Sequence, residues 1–340
     1  MSSLCDDLHQ WLNVNLSLST VLILLGGFAV CAFLVLYIFL WTTTLRDPPV
    51  QRSKSESVFR DPVSNQTHMF PLTVATSPTL YLSLVAPAYK EQDRLPKMLG
   101  ETMEYLENRQ KSDPSFTYEV VVVNDGSPDN TSQEAINFVQ QYGCDKIRLL
   151  ELDKNRGKGG AVRMGCLSVR GERVLFLDAD AATDIKDVAR LEKALDALTT
   201  DHSVPALAIG SRAHLQEEAT AQRSFFRNIL TYGFHLAVYV LCVKGVKDTQ
   251  CGFKMLTRSA ASTLFQLMHI DRWAFDVELL YIAQQLKMPI KEVAVNWQEI
   301  EGSKLVPLWS WLQMGRDLLF IRLRYTFGLW TLKLPKSKSS

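Results

Sequence analysis

From Leu8 to Leu45 the chain carries no Asp, Glu, Lys or Arg, and the stretch from Val21 to Trp41 is almost wholly apolar. As a helix rising about 1.5 Å per residue, such a run is long enough to cross a bilayer, so residues 1–45 are expected to form a transmembrane anchor. A cleaved signal peptide fits less well. Asp6 and Asp7 stand where basic residues are expected, and the apolar run exceeds the usual length for a signal. Arg46, Arg52 and Lys54 follow the span, with Asp47 and Glu56 among them, and the positive-inside rule places the large C-terminal part in the cytosol.

With 340 residues, 47% of them hydrophobic and 21% charged, the chain can bury one large core in one or two domains. A net charge of +1 gives no argument for nucleic acid as a partner. The six cysteines show no C-x-x-C pair or zinc spacing, which suits free thiols in a reducing compartment. Residues 46–79, rich in Pro, Ser, Thr and mixed charge, read as a linker.

From Leu80 onward strands alternate with helices. Tyr81 to Pro87, Tyr118 to Val123, Ile147 to Leu152, Val174 to Leu177 and Leu207 to Ile209 read as strands. Leu95, Leu99, Met103 and Leu106 line one face of a helix that Pro96 opens. The pattern predicts an α/β fold of right-handed βαβ units, with a mostly parallel sheet covered on both faces. Asn228 to Val243 is uncharged but short for a span, and reads as a buried or membrane-resting helix. Near the end, Trp309, Trp311, Leu312, Leu318, Leu319, Phe320, Leu323 and Phe327 alternate with Arg316, Arg322 and Arg324. That mixture suits an amphipathic helix at an anionic membrane surface, and equally a core-packing helix with a solvated basic face.

Polar residues collect at the strand ends. The first strand leads into Pro87-Ala88-Tyr89-Lys90-Glu91, the second into Asn124-Asp125-Gly126-Ser127, and the fourth into Asp178-Ala179-Asp180. Open α/β sheets bind ligands at this carboxyl edge. Two carboxylates one residue apart can hold a divalent cation against a diphosphate, since Mg²⁺ favours one or two carboxylates plus phosphate oxygens. A strand-ending Asp followed by a helix-capping Asp is the plainer reading of the same tripeptide. Asp125 is placed to accept from a uracil imide and Tyr89 to stack on the base, although Asn-Asp and Asp-Gly also simply make turns. Asn155-Arg156-Gly157-Lys158-Gly159-Gly160-Ala161 opens a helix, and its glycines permit a phosphate to approach the helix N-terminus. It matches neither a Walker A loop nor G-x-G-x-x-G.

P-A-Y-K-E at 87–91, V-N-D-G-S at 123–127, N-R-G-K-G-G-A at 155–161, D-A-D at 178–180 and G-S-R at 210–212 together resemble the family 2 inverting glycosyltransferases of GT-A fold. Matching segments run from about Leu80 to Leu305. Further on, D-T-Q-C-G-F-K at 248–254, the run from Arg272 to Leu280 and the run from Asn296 to Leu305 are similar to the branch that acts on dolichyl phosphate. The chain departs from the family pattern at Lys90, where Asn is usual, and at Asn124, where Asp is usual. Ala182 replaces a Gln that related mannose synthases use as a metal ligand, and Gln298 replaces an Arg.

The resemblance implies a GT-A domain over residues 80–305, a C-terminal amphipathic helix and basic tail over 306–340, and inverting transfer of glucose from UDP-glucose to dolichyl phosphate. Asp178 and Asp180 would hold Mg²⁺ or Mn²⁺. Pro87, Tyr89, Glu91, Asn124, Asp125, Lys158 and Ala179 would bind the nucleotide sugar, and Arg212, Arg227, Thr231 and Lys304 the acceptor phosphate. Arg212 is counted with Asp178 and Asp180 in the catalytic set. Asp276 and Glu278 either orient sugar hydroxyls or cap Arg272. The implied setting is the endoplasmic reticulum membrane, crossed once, with the lipid bilayer as a partner. A mannose synthase using GDP-mannose shares this mechanism, and a catalytically dead binding protein would not need the two acids. A processive polysaccharide synthase would carry Q-x-x-R-W, which Gln222-Arg223-Ser224-Phe225-Phe226 does not supply.

Overall fold

Four consecutive valines make the centre of the sheet. Val120 to Val123 lie in a strand whose every residue is buried, as expected where helices cover both faces. The computed structural model describes residues 18–44, 51–215, 225–300 and 307–334. Its main sheet comprises β3 (Leu80–Ala88), β4 (Tyr118–Asn124), β5 (Ile147–Glu151), β6 (Gly171–Leu177), β7 (Leu207–Ser211), β8 (Phe253–Thr257) and β9 (Ile290–Ala294), in the order β5-β4-β3-β6-β8-β7-β9. A small antiparallel pair, β1 (Val58–Arg60) with β2 (Thr67–Met69), forms a separate sheet that packs against β5.

Alternate residues of each strand enter two separate cores, the consequence of a two-residue side-chain period. On one face Leu82, Leu84, Val120, Val122 and Leu175 pack beneath α2 (Leu95–Ser112), α3 (Thr131–Tyr142) and α5 (Val188–Leu198). On the other, Val85, Val121, Val123, Val174 and Phe176 pack beneath α4 (Lys158–Cys166), α7 (Arg258–Leu267) and α8 (Phe275–Gln285). The stripe Leu95, Leu99, Met103 and Leu106 is buried as its spacing predicts, and Pro96 sits in the first turn of α2.

The five expected strands are present, and β8 and β9 add to them. β3 pairs parallel to β4 and β6, and β4 to β5, whereas β8 runs antiparallel to both neighbours, β6 and β7. β8 escapes a hydrophobic-run reading because Lys254 is its second residue, fully buried, with its ammonium 2.6 Å from Asp276 Oδ1. The reversed strand brings the turn before it against the end of β6.

The segment read as a linker is, over residues 51–79, a folded strap on the domain. Glu56, Phe70 and Thr73 are buried, and the Thr73 hydroxyl donates to the Cys166 carbonyl at 2.9 Å. Its polar composition conceals this because its contacts are largely hydrogen bonds and ion pairs rather than an apolar stripe.

Helix α1 (Leu18–Thr43) has the length and apolarity of a membrane span over Thr20–Thr43 and meets α9 (Pro307–Thr326) near its end. Phe33 and Tyr37 face Phe327 at ring-centroid distances of 5.5 and 6.0 Å. α6 (Phe225–Leu241), the helix within the uncharged 228–243 stretch, packs on α9. It buries Phe234 and Val238 and exposes Leu236, Tyr239 and Val240. Of the two readings open for the C-terminal helix, core packing is observed for Met314, Leu318 and Ile321, while Leu312 and Leu319 remain exposed.

Candidate active site

β6 ends on Leu177, and the next three residues form the acidic turn. Asp178 N–H donates to the Gly252 carbonyl at 3.1 Å, tying the turn to the segment entering β8. Gly252 is required there, since a Cβ at that position would overlap the Asp178 carboxylate. Asp180 Oδ1 accepts from Ala182 N at 3.0 Å across Ala181, whose φ of 59° is left-handed. Burial, together with the negative charge of Asp178, raises the Asp180 pKa above the ordinary carboxylate value.

Lys158, the first residue of α4, closes on this pair, with Nζ 2.6 Å from Asp178 Oδ1. Burial works to lower its pKa, but Asp178, Asp276 and Asp180 outweigh that and hold it raised. Three carboxylates thus surround the crevice floor, balanced by Lys158 and by the buried Lys254 beside Asp276. Asp276 therefore faces inward as half of an ion pair. Glu278 instead accepts from the backbone N–H groups of His269 and Ile270 and from Tyr325 Oη, a structural clasp for that turn.

The remaining strand-end residues are busy with the scaffold. Asn124 Oδ1 accepts from Ser127 N at 3.0 Å, and its Nδ2 donates to Ser132 Oγ at 2.6 Å. Asp125 Oδ1 and Oδ2 accept from the backbone N–H groups of Arg156 and Gly157 at 2.7 and 2.9 Å. Burial pushes the Asp125 pKa up to about 6 against those two bonds. Its carboxylate holds the glycine loop in place, a task its sequence position does not reveal. Glu91 pairs with Arg94 at 2.7 Å, and its N–H donates to Thr131 Oγ1 at 2.9 Å. Tyr89 and Pro87 stand half-buried at the end of β3, with the Lys90 ammonium 5.6 Å from the Tyr89 ring centroid; Ala179 is buried.

Arg212, just past β7, donates through Nε and Nη2 to the buried Asp248 at 2.7 and 3.0 Å, leaving Nη1 outside that pair. Although burial opposes it, bonding to Asp248 raises the Arg212 pKa further, and Asp178 adds to the effect. The guanidinium lies 5.3 Å from the Trp297 ring centroid, and Trp297 bridges to Thr183. Arg212 thus shares the crevice with the acidic turn. Arg227 and Thr231 fall in α6, but their side chains lie outside the described residues, as does all of Lys304.

The donor set suits a hard divalent cation: two carboxylates one residue apart, with the other positions left to phosphate oxygens and water. Among the described residues no group of three or more His, Cys, Asp or Glu forms a metal site by itself. Sequence reasoning quoted the segment from Asp248 to Lys254 without giving its residues a role. Gly252 supports Asp178, Asp248 holds Arg212 and Lys254 neutralises Asp276; the signal was a glycine and two charges within one short segment.

Residues 83–265 match the family model for glycosyl transferase family 2. The chain is 56% identical over 308 residues to a dolichyl-phosphate beta-glucosyltransferase of Homo sapiens, covering 91% of this chain and 94% of that protein. It is 51% identical to the Drosophila melanogaster protein of the same name, covering 93% and 96%. Saccharomyces cerevisiae has one 38% identical, covering 74% and 77%. Among solved structures, glucosyl-3-phosphoglycerate synthase from Mycobacterium tuberculosis with UDP superposes with a TM-score of 0.51 at 17% identity, covering 76% of this chain and 82% of that one, a likeness of fold. The chain belongs to glycosyl transferase family 2 and, within it, to the dolichyl-phosphate beta-glucosyltransferases.

Proposed function

We propose that the chain transfers glucose from UDP-glucose to dolichyl phosphate with inversion, making dolichyl β-D-glucosyl phosphate for assembly of the N-glycan precursor. The observation that carries the reading is the Asp178–Asp180 turn at the carboxyl end of β6 with Lys158 closed on it, in a chain of this family. An acceptor phosphate oxygen attacks the anomeric carbon from the face opposite the departing diphosphate; one C–O bond forms as the other breaks. A phosphate monoester is largely ionised at neutral pH, so no strong general base is needed. Catalysis rests on positioning and on stabilising the charge that builds on the UDP leaving group.

Asp178 and Asp180 would hold Mg²⁺ or Mn²⁺, which when bound neutralises diphosphate charge. Lys158 leaves Asp178 for the diphosphate as the donor enters, exchanging one anionic partner for another. Pro87, Tyr89, Glu91 and Ala179 line the uridine side, while Asn124 and Asp125 shape it through the turn and the loop they hold. Arg212 presents the guanidinium edge outside its Asp248 pair to the acceptor phosphate, with Arg227, Thr231 and Lys304 as its companions. Helix α1 anchors the chain once in the endoplasmic reticulum membrane, and the catalytic domain, residues 80–305, faces the cytosol.

The test is transfer by membranes containing the full chain, offered dolichyl phosphate with UDP-glucose or GDP-mannose. Glucose transfer is expected to predominate, and Asp180→Ala to abolish it while the protein stays anchored. Preferential mannose transfer would overturn the donor assignment, and undiminished glucose transfer by the variant would overturn the metal site.

A further inference from the structure

Glu56 is a charged residue with no exposed surface, in a segment otherwise rich in polar and exposed side chains. Its carboxylate accepts from Ser53 N at 3.1 Å, from Asp153 N at 3.2 Å, and from both Nε and Nη2 of Arg156, the Nε contact being 3.2 Å. The Arg156 guanidinium also donates to the Gln51 carbonyl at 2.9 Å. Ser55 Oγ donates to Asp153 Oδ1 at 2.7 Å, and Arg52 Nη2 to the Met164 carbonyl in α4 at 3.2 Å. The strap that follows α1 is therefore bonded to the residues leading into the glycines, Asp153 and Arg156, and to the helix after them.

That loop needs outside support. Gly157 has a φ of 85°, and the glycines around Lys158 give the backbone a freedom that its own sequence does not restrict. From one side Asp125 fixes the N–H groups of Arg156 and Gly157; from the other Glu56 fixes Asp153 N–H and the Arg156 side chain. The next residue, Lys158, reaches Asp178. A buried charge is a costly fastening, and an apolar contact would tie down a strap at least as well. What the carboxylate adds is direction, through donors on three separate residues.

We infer that Glu56 is a positioning residue for donor binding: the juxtamembrane strap, through Glu56 and Arg156, sets the glycine loop so that Lys158 meets the donor diphosphate. The inference rests on the reading of Lys158 as a diphosphate ligand. It makes the connection between anchor and domain part of the donor site, and it assigns the strap no contact with substrate.

The experiment uses the full chain in membranes, with KM for UDP-glucose and for dolichyl phosphate measured separately and UDP affinity measured directly. Glu56→Gln is expected to raise the UDP-glucose KM and weaken UDP about tenfold or more, with the dolichyl phosphate KM unchanged. Arg156→Gln should act alike, and the double variant should be little worse than either single one, as for partners in one network. Glu56→Asp keeps the charge but shortens its reach, so it should fall between, and it decides the matter if Glu56→Gln does not accumulate. Lys158→Ala separates the two readings. If it leaves UDP affinity unaltered, the donor-loop reading fails; if it weakens UDP while the Glu56 variants do not, the strap inference alone fails. Equal rises in both KM values would mean a general loss of structure and would also overturn it.

Discussion

Gly252 carries no chemistry, yet it decides where Asp178 stands. Any Cβ at that position would occupy the space of the Asp178 carboxylate, which would have to rotate away from Lys158. Gly252→Ala is therefore expected to reduce glucosyl transfer about a hundredfold, as displacing a reacting group by an ångström does. Thermal unfolding should move little, because the carboxylate can turn toward the crevice; an active variant would refute the placement. Asp125 gives a pH test. Its folded pKa of about 6 lies above the ordinary 3.8, so the folded state binds the proton more tightly. This group's contribution to stability is thus greatest below the unfolded value and declines as pH rises through about 6, costing about 3 kcal/mol at neutral pH. Its grip on Arg156 and Gly157 runs the other way, because only the carboxylate accepts both N–H groups. The UDP-glucose KM should rise as pH falls below about 6, and Asp125→Asn should flatten that profile. The acids of D-A-D were legible because an apolar strand ends on them. The duty of Asp125 was not, since its partners arrive some thirty residues later in the chain.

At the scale of elements, the glycine loop shows a motif whose outline was readable and whose reason was not. Its glycines suggest backbone room for a phosphate, but a Cβ at Gly159 would come within 2.5 Å of the Phe275 Cβ, and one at Gly157 within 2.7 Å of the Asp271 carbonyl. They let α4 lie directly on the turn that begins α8, where Gly160 N–H donates to the Asp271 carbonyl at 2.9 Å. Gly159→Ala should therefore destabilise the fold by about 1–3 kcal/mol, the usual cost of overpacking, measured as a lower unfolding midpoint. A stability unchanged by that substitution would favour the phosphate explanation alone. Strands β3 to β7 were legible from apolar runs bounded by turns, and α2 from its stripe of Leu and Met. β8 was hidden because it carries a buried lysine neutralised by Asp276, a residue on another element. The strap was hidden for the same reason, since Glu56 counts as a surface charge until Arg156 is placed beside it.

The molecule as a whole is organised around where α1 ends. Arg324, in the last turn of α9, donates to the Thr43 carbonyl at 3.3 Å, satisfying one of the acceptors that a helix C-terminus leaves open. With Phe327 against Phe33 and Tyr37, this fixes α9 to the long apolar helix, and α6 lies on α9 in turn. Exposed apolar side chains lie on both helices, Leu236, Tyr239 and Val240 on α6 with Leu312 and Leu319 on α9. An exposed apolar surface on helices tied to one long enough to span a bilayer suits contact with a leaflet from which a prenyl phosphate is taken. Replacing Leu236 and Val240 together by Glu would set two charges against that surface. Loss of even ~1.4 kcal/mol of interfacial contact is about a tenfold change in an equilibrium, so the KM for dolichyl phosphate in bilayers should rise about tenfold or more. A short, water-soluble prenyl phosphate needs no extraction from lipid, and its KM should be unaffected, as should UDP affinity. Equal losses with both acceptors would mean that the substitutions disturb the protein itself, and no loss with either would mean that this face takes no part in reaching the lipid.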